Sequence, residues 1–150
     1  MIRADMKRRL LLPALLVIAA SGVLTACGSQ GVSTPGASAS VSNGAKLFAA
    51  RCSGCHTFAP SGAQGSATKV SDRERVDGPN FNVRKVCYDA ALYALQNGGY
   101  SGAIMPANIV VGAEAKDVAA YLQAFSGKDG KTVAGPSSTA KCPPLPAGVG

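Results

Sequence analysis

Three stretches of the chain carry apolar residues at the spacing of an amphipathic helix, and all three lie between residues 43 and 126. The first helix is predicted at 45–51, the second at 86–96 and the third at 113–125. The stretches between them are rich in Gly and Pro and show no convincing strand alternation. The pattern therefore predicts an all-α domain of short helices and long loops.

The residues before the first helix predict a flexible linker. Residues 28–42 are mostly Gly, Ser, Ala, Thr and Pro, carry no charge and offer almost no bulky side chain to a core. Ser42 or Asn43 is the predicted N-cap of the helix that follows. A free chain of this length spans roughly 20 Å. We therefore expect the domain, 43–126, to swing on a tether formed by residues 27–42.

Residues 1–26 have the features of a bacterial signal peptide. A basic segment precedes an apolar run at 10–23, which is too short for a membrane-spanning helix of ~20 residues. The run is followed by Leu24-Thr25-Ala26-Cys27, which resembles the lipobox of bacterial lipoproteins. The resemblance implies that Cys27 carries acyl chains and anchors the exported protein to the outer face of the cytoplasmic membrane or to the periplasmic side of the envelope. An ordinary cleaved signal peptide with a coincidental cysteine is the alternative.

Composition limits the size of the core and the kind of partner. The chain has 150 residues, with 18 Gly, 9 Pro and 5% aromatic residues, so side chains alone would make a thin core. We therefore expect a covalent staple or an embedded cofactor. Of 15 basic and 8 acidic residues, 4 basic and 1 acidic lie in the leader, which leaves a modest positive charge. A large multidomain enzyme, a polytopic membrane protein and a nucleic-acid-binding protein are excluded.

The strongest chemical motif follows the first predicted helix directly. Cys52-Ser53-Gly54-Cys55-His56 is the C-x-x-C-H signature of covalent haem attachment. Two thiols on one helical turn reach the two vinyl groups of a porphyrin, and the adjacent His56 supplies the proximal iron ligand. A thioredoxin-like redox pair would need a βαβ context, which the pattern lacks. A zinc site would need further ligands, and His56 is the only histidine in the chain.

Met105 is the candidate for the second axial ligand. It stands before Pro106 in the loop between the second and third predicted helices, and it is the single methionine outside the leader. A thioether is a soft ligand that favours Fe(II) and raises the reduction potential. A lysine ligand, an open coordination position, or a methionine that only fills the core are the alternatives.

Residues 43–126 resemble a small bacterial class I cytochrome c. The resemblance rests on the C-x-x-C-H motif, on Gly78-Pro79-Asn80-Phe81, which is similar to the family's G-P-N-L segment, on Met105-Pro106, and on a last helix with Tyr121. It implies three to four short helices and long loops wrapped round one covalently bound haem c. It also implies that the Pro79 carbonyl accepts the Nδ1–H of His56. The charged loop at 69–77 departs from the family pattern.

The tail at 127–150 also departs from the family and contains one of the two remaining cysteines. Cys87 and Cys142 are left after lipid and haem attachment, so outside the cytoplasm they form either a disulfide or two free thiols. A disulfide closing a loop of this length would be worth about 4 kcal/mol in the chain-entropy model.

These features favour an electron carrier rather than an enzyme, with no catalytic residue. By the resemblance, its partners are a quinol-oxidising membrane complex as donor and a terminal oxidase as acceptor. The haem subunit of an extracytoplasmic dehydrogenase is the alternative, and a peroxidase, a gas sensor and a thiol oxidoreductase are more distant. Five basic side chains are candidates for steering acidic partners, although plain solvated surface is the simpler interpretation: Lys46, Arg51, Arg84, Lys85 and Lys116.

Overall fold

Three helices provide most of the regular structure in the part of the protein that the structure describes. The computed structural model describes residues 31–67, 70–100, 104–128 and 141–149. The predicted signal peptide, Cys27 and most of the tail lie outside these residues. The helices are α1 (Ala39–Arg51), α2 (Tyr88–Asn97) and α3 (Gly112–Phe125). The all-α class expected from the sequence is confirmed.

Short irregular elements complete the described part of the chain. Two antiparallel strands of two residues each, β1 (Thr57–Phe58) and β2 (Ala63–Gln64), form a small hairpin. The 3₁₀ turn Ala59–Ser61 connects them, and a second one is found at Val70–Asp72. The hairpin was not predicted, because two residues per strand are too few to show an alternating pattern.

The first and last helices pack closely because α1 has a glycine at their contact. A Cβ on Gly44 would lie 2.1 Å from the Asp117 carbonyl oxygen and 2.9 Å from the Cβ of Tyr121. One turn later in α1, Phe48 packs on Tyr121 with the ring centroids 5.9 Å apart. The helix pair therefore depends on a residue without a side chain at position 44.

Four aromatic side chains form the centre of the core. Edge-to-face or tilted contacts at 5.0–6.0 Å between ring centroids join them to one another. All are at least 93% buried: Phe48, Phe58, Phe81 and Tyr121. The Tyr121 hydroxyl shares a hydrogen bond with Ser61, so its polar end is satisfied inside the core.

The start of α1 corrects the predicted linker. The helix begins at Ala39, and its N-cap is Ser38, whose Oγ accepts a hydrogen bond from the Val41 N–H at 3.2 Å. The predicted caps, Ser42 and Asn43, lie inside the helix. Residues 31–38 also contact the domain, since the Ser33 N–H donates to the Pro60 carbonyl at 2.8 Å. The predicted linker at 27–42 is therefore too long.

The described end of the tail is fastened to the domain. Cys87 and Cys142 form a disulfide with their Cα atoms 5.2 Å apart, which decides between the two alternatives that the sequence left open. The Gln123 side chain in α3 donates to the Pro143 carbonyl at 2.8 Å. Leu145 is half-buried and packs against the core. Within the described residues, no helix is long and apolar enough to cross a membrane.

Candidate haem-binding site

The C-x-x-C-H motif forms a turn that continues α1. The Cys52 N–H donates to the Phe48 carbonyl at 2.8 Å, and the His56 N–H donates to the Cys52 carbonyl at 3.0 Å. Both thiols are free; Cys52 is buried and Cys55 is exposed. The turn therefore places two thiols and one imidazole within five residues, as haem attachment requires.

The environment of Cys52 argues against thiol redox chemistry. Burial raises the pKa of the Cys52 thiol to about 12, with a smaller contribution from Cys55. Since the thiolate is the nucleophile in disulfide exchange, a buried protonated thiol is a poor start for that reaction. Within the described residues, no three His, Cys, Asp or Glu side chains are grouped so that they could hold a metal ion. The zinc alternative therefore has no support there.

His56 is held with one ring nitrogen bonded and the other available. The residue is 9% exposed, and its Nδ1 lies 3.0 Å from the Pro79 carbonyl oxygen. Burial lowers the pKa of His56, and the bond to Pro79 opposes this shift only in part. Because a carbonyl can only accept, a neutral ring must have its proton on Nδ1. The lone pair of Nε2 is then free to bind iron.

The residues around Pro79 bring the backbone close to the ring of His56. A Cβ on Gly78 would lie 2.3 Å from Cε1 of His56, so no other residue fits there without displacement. The Gly78 N–H donates to the Cys55 carbonyl at 2.7 Å, which ties this segment to the motif. The Phe81 ring stacks on His56 with centroids 4.8 Å apart and an interplanar angle of 17°. His56 is thus fixed in orientation by three neighbours.

Met105 lies on a loop that is fastened to the end of α2. Gly98 ends α2 in the left-handed conformation, and a Cβ there would lie 2.7 Å from the Met105 carbonyl oxygen. The Asn108 N–H donates to the Leu95 carbonyl at 2.7 Å. The Met105 side chain is half-buried against the core. Its role as an axial ligand stays a prediction.

Lys85 differs from the other basic candidates. Its ammonium group donates to the Gln123 carbonyl and is half-buried, and burial together with nearby Lys128 lowers its pKa. It is therefore less available to a partner than the remaining candidates, all of which are exposed: Lys46, Arg51, Arg84 and Lys116.

Sequence reasoning missed two contacts of the site. Neither the approach of Gly78 to the imidazole nor the stacking of Phe81 on it was predicted. The signal for both was present in the Gly78–Phe81 segment, which was used only to place the Pro79 carbonyl.

A family model described as Cytochrome c matches residues 41–126, which is more than half of the chain. The match covers all three helices but for the first two residues of α1, and it includes the motif, Pro79 and Met105. No curated protein and no solved structure matches the chain.

Proposed function

The chain belongs to the cytochrome c family and binds haem c covalently, and we propose that it carries single electrons with His56 and Met105 as axial iron ligands. Bound haem c supplies a one-electron couple. With both axial positions filled, outer-sphere electron transfer is the chemistry that remains. The protein then has no position where oxygen or peroxide would bind.

The observation that carries this proposal is the state of His56. Its Nδ1–H is bonded to Pro79, and its Nε2 lone pair is available next to two free thiols. Such a bond fixes the tautomer, orients the ring and makes the ligand more basic. Thioether links from Cys52 and Cys55 would hold the porphyrin on the same turn.

Met105 is proposed as the distal ligand on the support of its chain position and burial. The loop that contains it is fixed to α2 through Gly98 and Asn108, so its sulfur would be presented by a defined backbone. A His and Met ligand pair raises the reduction potential relative to two nitrogen ligands.

The Met105→Ala variant of the holo protein tests this ligand set. In the unaltered protein we expect a low-spin spectrum with the charge-transfer band of a methionine sulfur bound to Fe(III). In the variant we expect loss of that band, a lower reduction potential and binding of added cyanide or imidazole at the open position. Unchanged spectrum and potential in Met105→Ala would refute Met105 as the ligand.

We further propose that the electrons pass from a quinol-oxidising membrane complex to a terminal oxidase, with the chain held at the membrane by lipid on Cys27. The leader and its Leu24–Cys27 ending support export and anchoring, and the exposed basic side chains suit acidic docking sites. Quinol should reduce the purified protein only when membranes containing the donor complex are added. Reduction by a soluble dehydrogenase instead would favour the alternative role as a haem subunit.

A further inference from the structure

The N-terminal segment before α1 is docked, which changes how an anchored chain would sit on a membrane. The Ser33 N–H donates to the Pro60 carbonyl at 2.8 Å, and the Thr34 and Ser42 hydroxyls are 3.2 Å apart. Val32 and Ala37 are partly buried against the core. The chain is therefore attached to the domain well before its first helix begins.

The docked segment leaves a short tether. Gly28, Ser29 and Gln30 alone separate Cys27 from Gly31, the first described residue. Four steps along an extended chain cover roughly 14 Å. A small domain is about 30 Å across. A tether of this reach cannot bring the opposite side of the domain to the membrane.

We propose that the anchored protein holds one defined surface against the membrane, and that this surface binds anionic lipid headgroups. We call it the anchor face; it comprises Ser33, Pro60, Asn82, Phe125 and Lys128. The inference rests on the lipid anchor at Cys27 that is part of the proposed function.

The side chains of the anchor face suit the boundary between headgroups and water. They line a shallow cavity of about 340 Å³ together with Phe58 and Ala59, and none of these lining residues is acidic. The exposed Lys128 ammonium lies 4.4 Å from the centroid of the Phe125 ring. A cation beside a partly exposed aromatic ring can bind a lipid headgroup while the ring contacts the apolar part of the lipid next to that headgroup. Lys85, close to Lys128, adds to the positive potential.

An anchored domain held in this way does not swing freely, contrary to the expectation from the composition of residues 28–42. The surfaces away from the anchor face stay exposed at a constant orientation. Partners in the same membrane would therefore always meet the same side of the carrier.

Lysine footprinting of the full-length, lipid-modified protein tests the proposal. The holo protein is placed in vesicles of phosphatidylethanolamine and phosphatidylglycerol, and the rate at which an amine reagent modifies each lysine is measured by mass spectrometry. The soluble chain 28–150 is the reference. We expect Lys128 to react about fivefold more slowly on vesicles, the effect of one lysine held at an anionic surface. The exposed Lys46 and Lys116 should react at unchanged rates.

A lengthened tether and two matched lysine substitutions separate orientation from simple proximity to lipid. Inserting fifteen Gly and Ser residues between Ser29 and Gln30 keeps the anchor but lengthens the tether, and it should reduce the protection of Lys128, because the domain is then held to the membrane only by the weak affinity of the anchor face for headgroups. Lys128→Gln should weaken binding of the lengthened chain's domain to the vesicle surface, while Lys116→Gln, with the same charge change, should not. Equal slowing of all three lysines on vesicles relative to the soluble chain, or protection of Lys128 that the insertion does not reduce, would overturn the proposal.

The failures of the two proposals are distinguishable in the same samples. The mass of the N-terminal peptide reports acylation of Cys27, and an unmodified N-terminus would overturn the membrane orientation alone. The visible spectrum reports the haem and its ligands, and a haem-loaded protein without the methionine charge-transfer band would overturn the proposed ligand pair without altering the footprint.

Discussion

At the scale of single residues, the site depends on how closely the backbone approaches the ring of His56. Gly78 permits that approach, and the next residue, Pro79, supplies the carbonyl that fixes the ring's tautomer. The contact is between residues far apart in the chain, so the periodicity of apolar residues contains no sign of it. The position of the Pro79 carbonyl came from the resemblance to the family, not from periodicity.

The Gly78→Ala substitution should disturb this contact specifically. A methyl group would overlap the imidazole, and such overpacking costs about 1–3 kcal/mol. We expect a lower free energy of unfolding of the holo protein in urea and a shifted reduction potential, because the ring of His56 must move. Gly54→Ala is the matched control, since a Cβ at Gly54 has no neighbour within 4 Å. Equal effects of the two substitutions would contradict the account.

Tyr121 provides a prediction about pH. Burial raises the pKa of Tyr121 to about 12, and the hydrogen bond with Ser61 opposes this only in part. An unfolded tyrosine titrates near pH 10, so between about 10 and about 12 the unfolded chain has lost a proton that the folded chain retains. The contribution of protonated Tyr121 to the free energy of unfolding is therefore complete below pH 10 and is lost as the pH rises to 12.

The Tyr121→Phe variant isolates this contribution. The free energy of unfolding, measured in urea at a series of pH values, should fall less steeply above pH 10 in the variant than in the unaltered protein. Some fall remains, because burial also raises the pKa of Tyr88. The exposed Tyr93→Phe serves as the control and should keep the original slope. If the free energy of unfolding of Tyr121→Phe falls above pH 10 as steeply as that of the control, Tyr121 is not the cause of the loss of stability there.

At the scale of elements, the helices were predicted to different accuracy for a physical reason. The bounds of α2 and α3 agree with the sequence to within two residues, because both carry a regular apolar stripe. The start of α1 was placed too late, since its first turn has Val41 as its only large apolar residue. That turn is stabilised by the cap at Ser38 and by the bond from Ser40 to Asp117 in α3. Tertiary contacts of this kind do not appear in a local pattern.

The disulfide joins the tail to the start of α2, so its removal should destabilise the domain as a whole. In the Cys87→Ser, Cys142→Ser double variant, the free energy of unfolding should decrease by about 2–4 kcal/mol. Replacing both cysteines avoids a lone thiol that could pair with Cys52 or Cys55. The haem spectrum should be unchanged, since neither residue belongs to the motif. A loss below about 1 kcal/mol would mean that the tail adds little to stability.

At the scale of the whole molecule, the protein compensates for a thin core in three ways. Four aromatic side chains fill the centre, a disulfide fastens the tail, and the chain binds haem c covalently. The need for a staple and a cofactor followed from composition, and the motif identified the cofactor. The pairing of Cys87 with Cys142 and the docking of residues 31–38 required the three-dimensional structure.

The most direct test of the account is whether haem stays on the denatured chain. The mature protein is produced in a host that matures c-type cytochromes. It is then denatured and extracted with acidified organic solvent, and its mass is measured by mass spectrometry. We predict one haem retained per chain, and none in the Cys52→Ser, Cys55→Ser double variant. A mature chain that carries two free thiols and no haem would contradict the account at its centre.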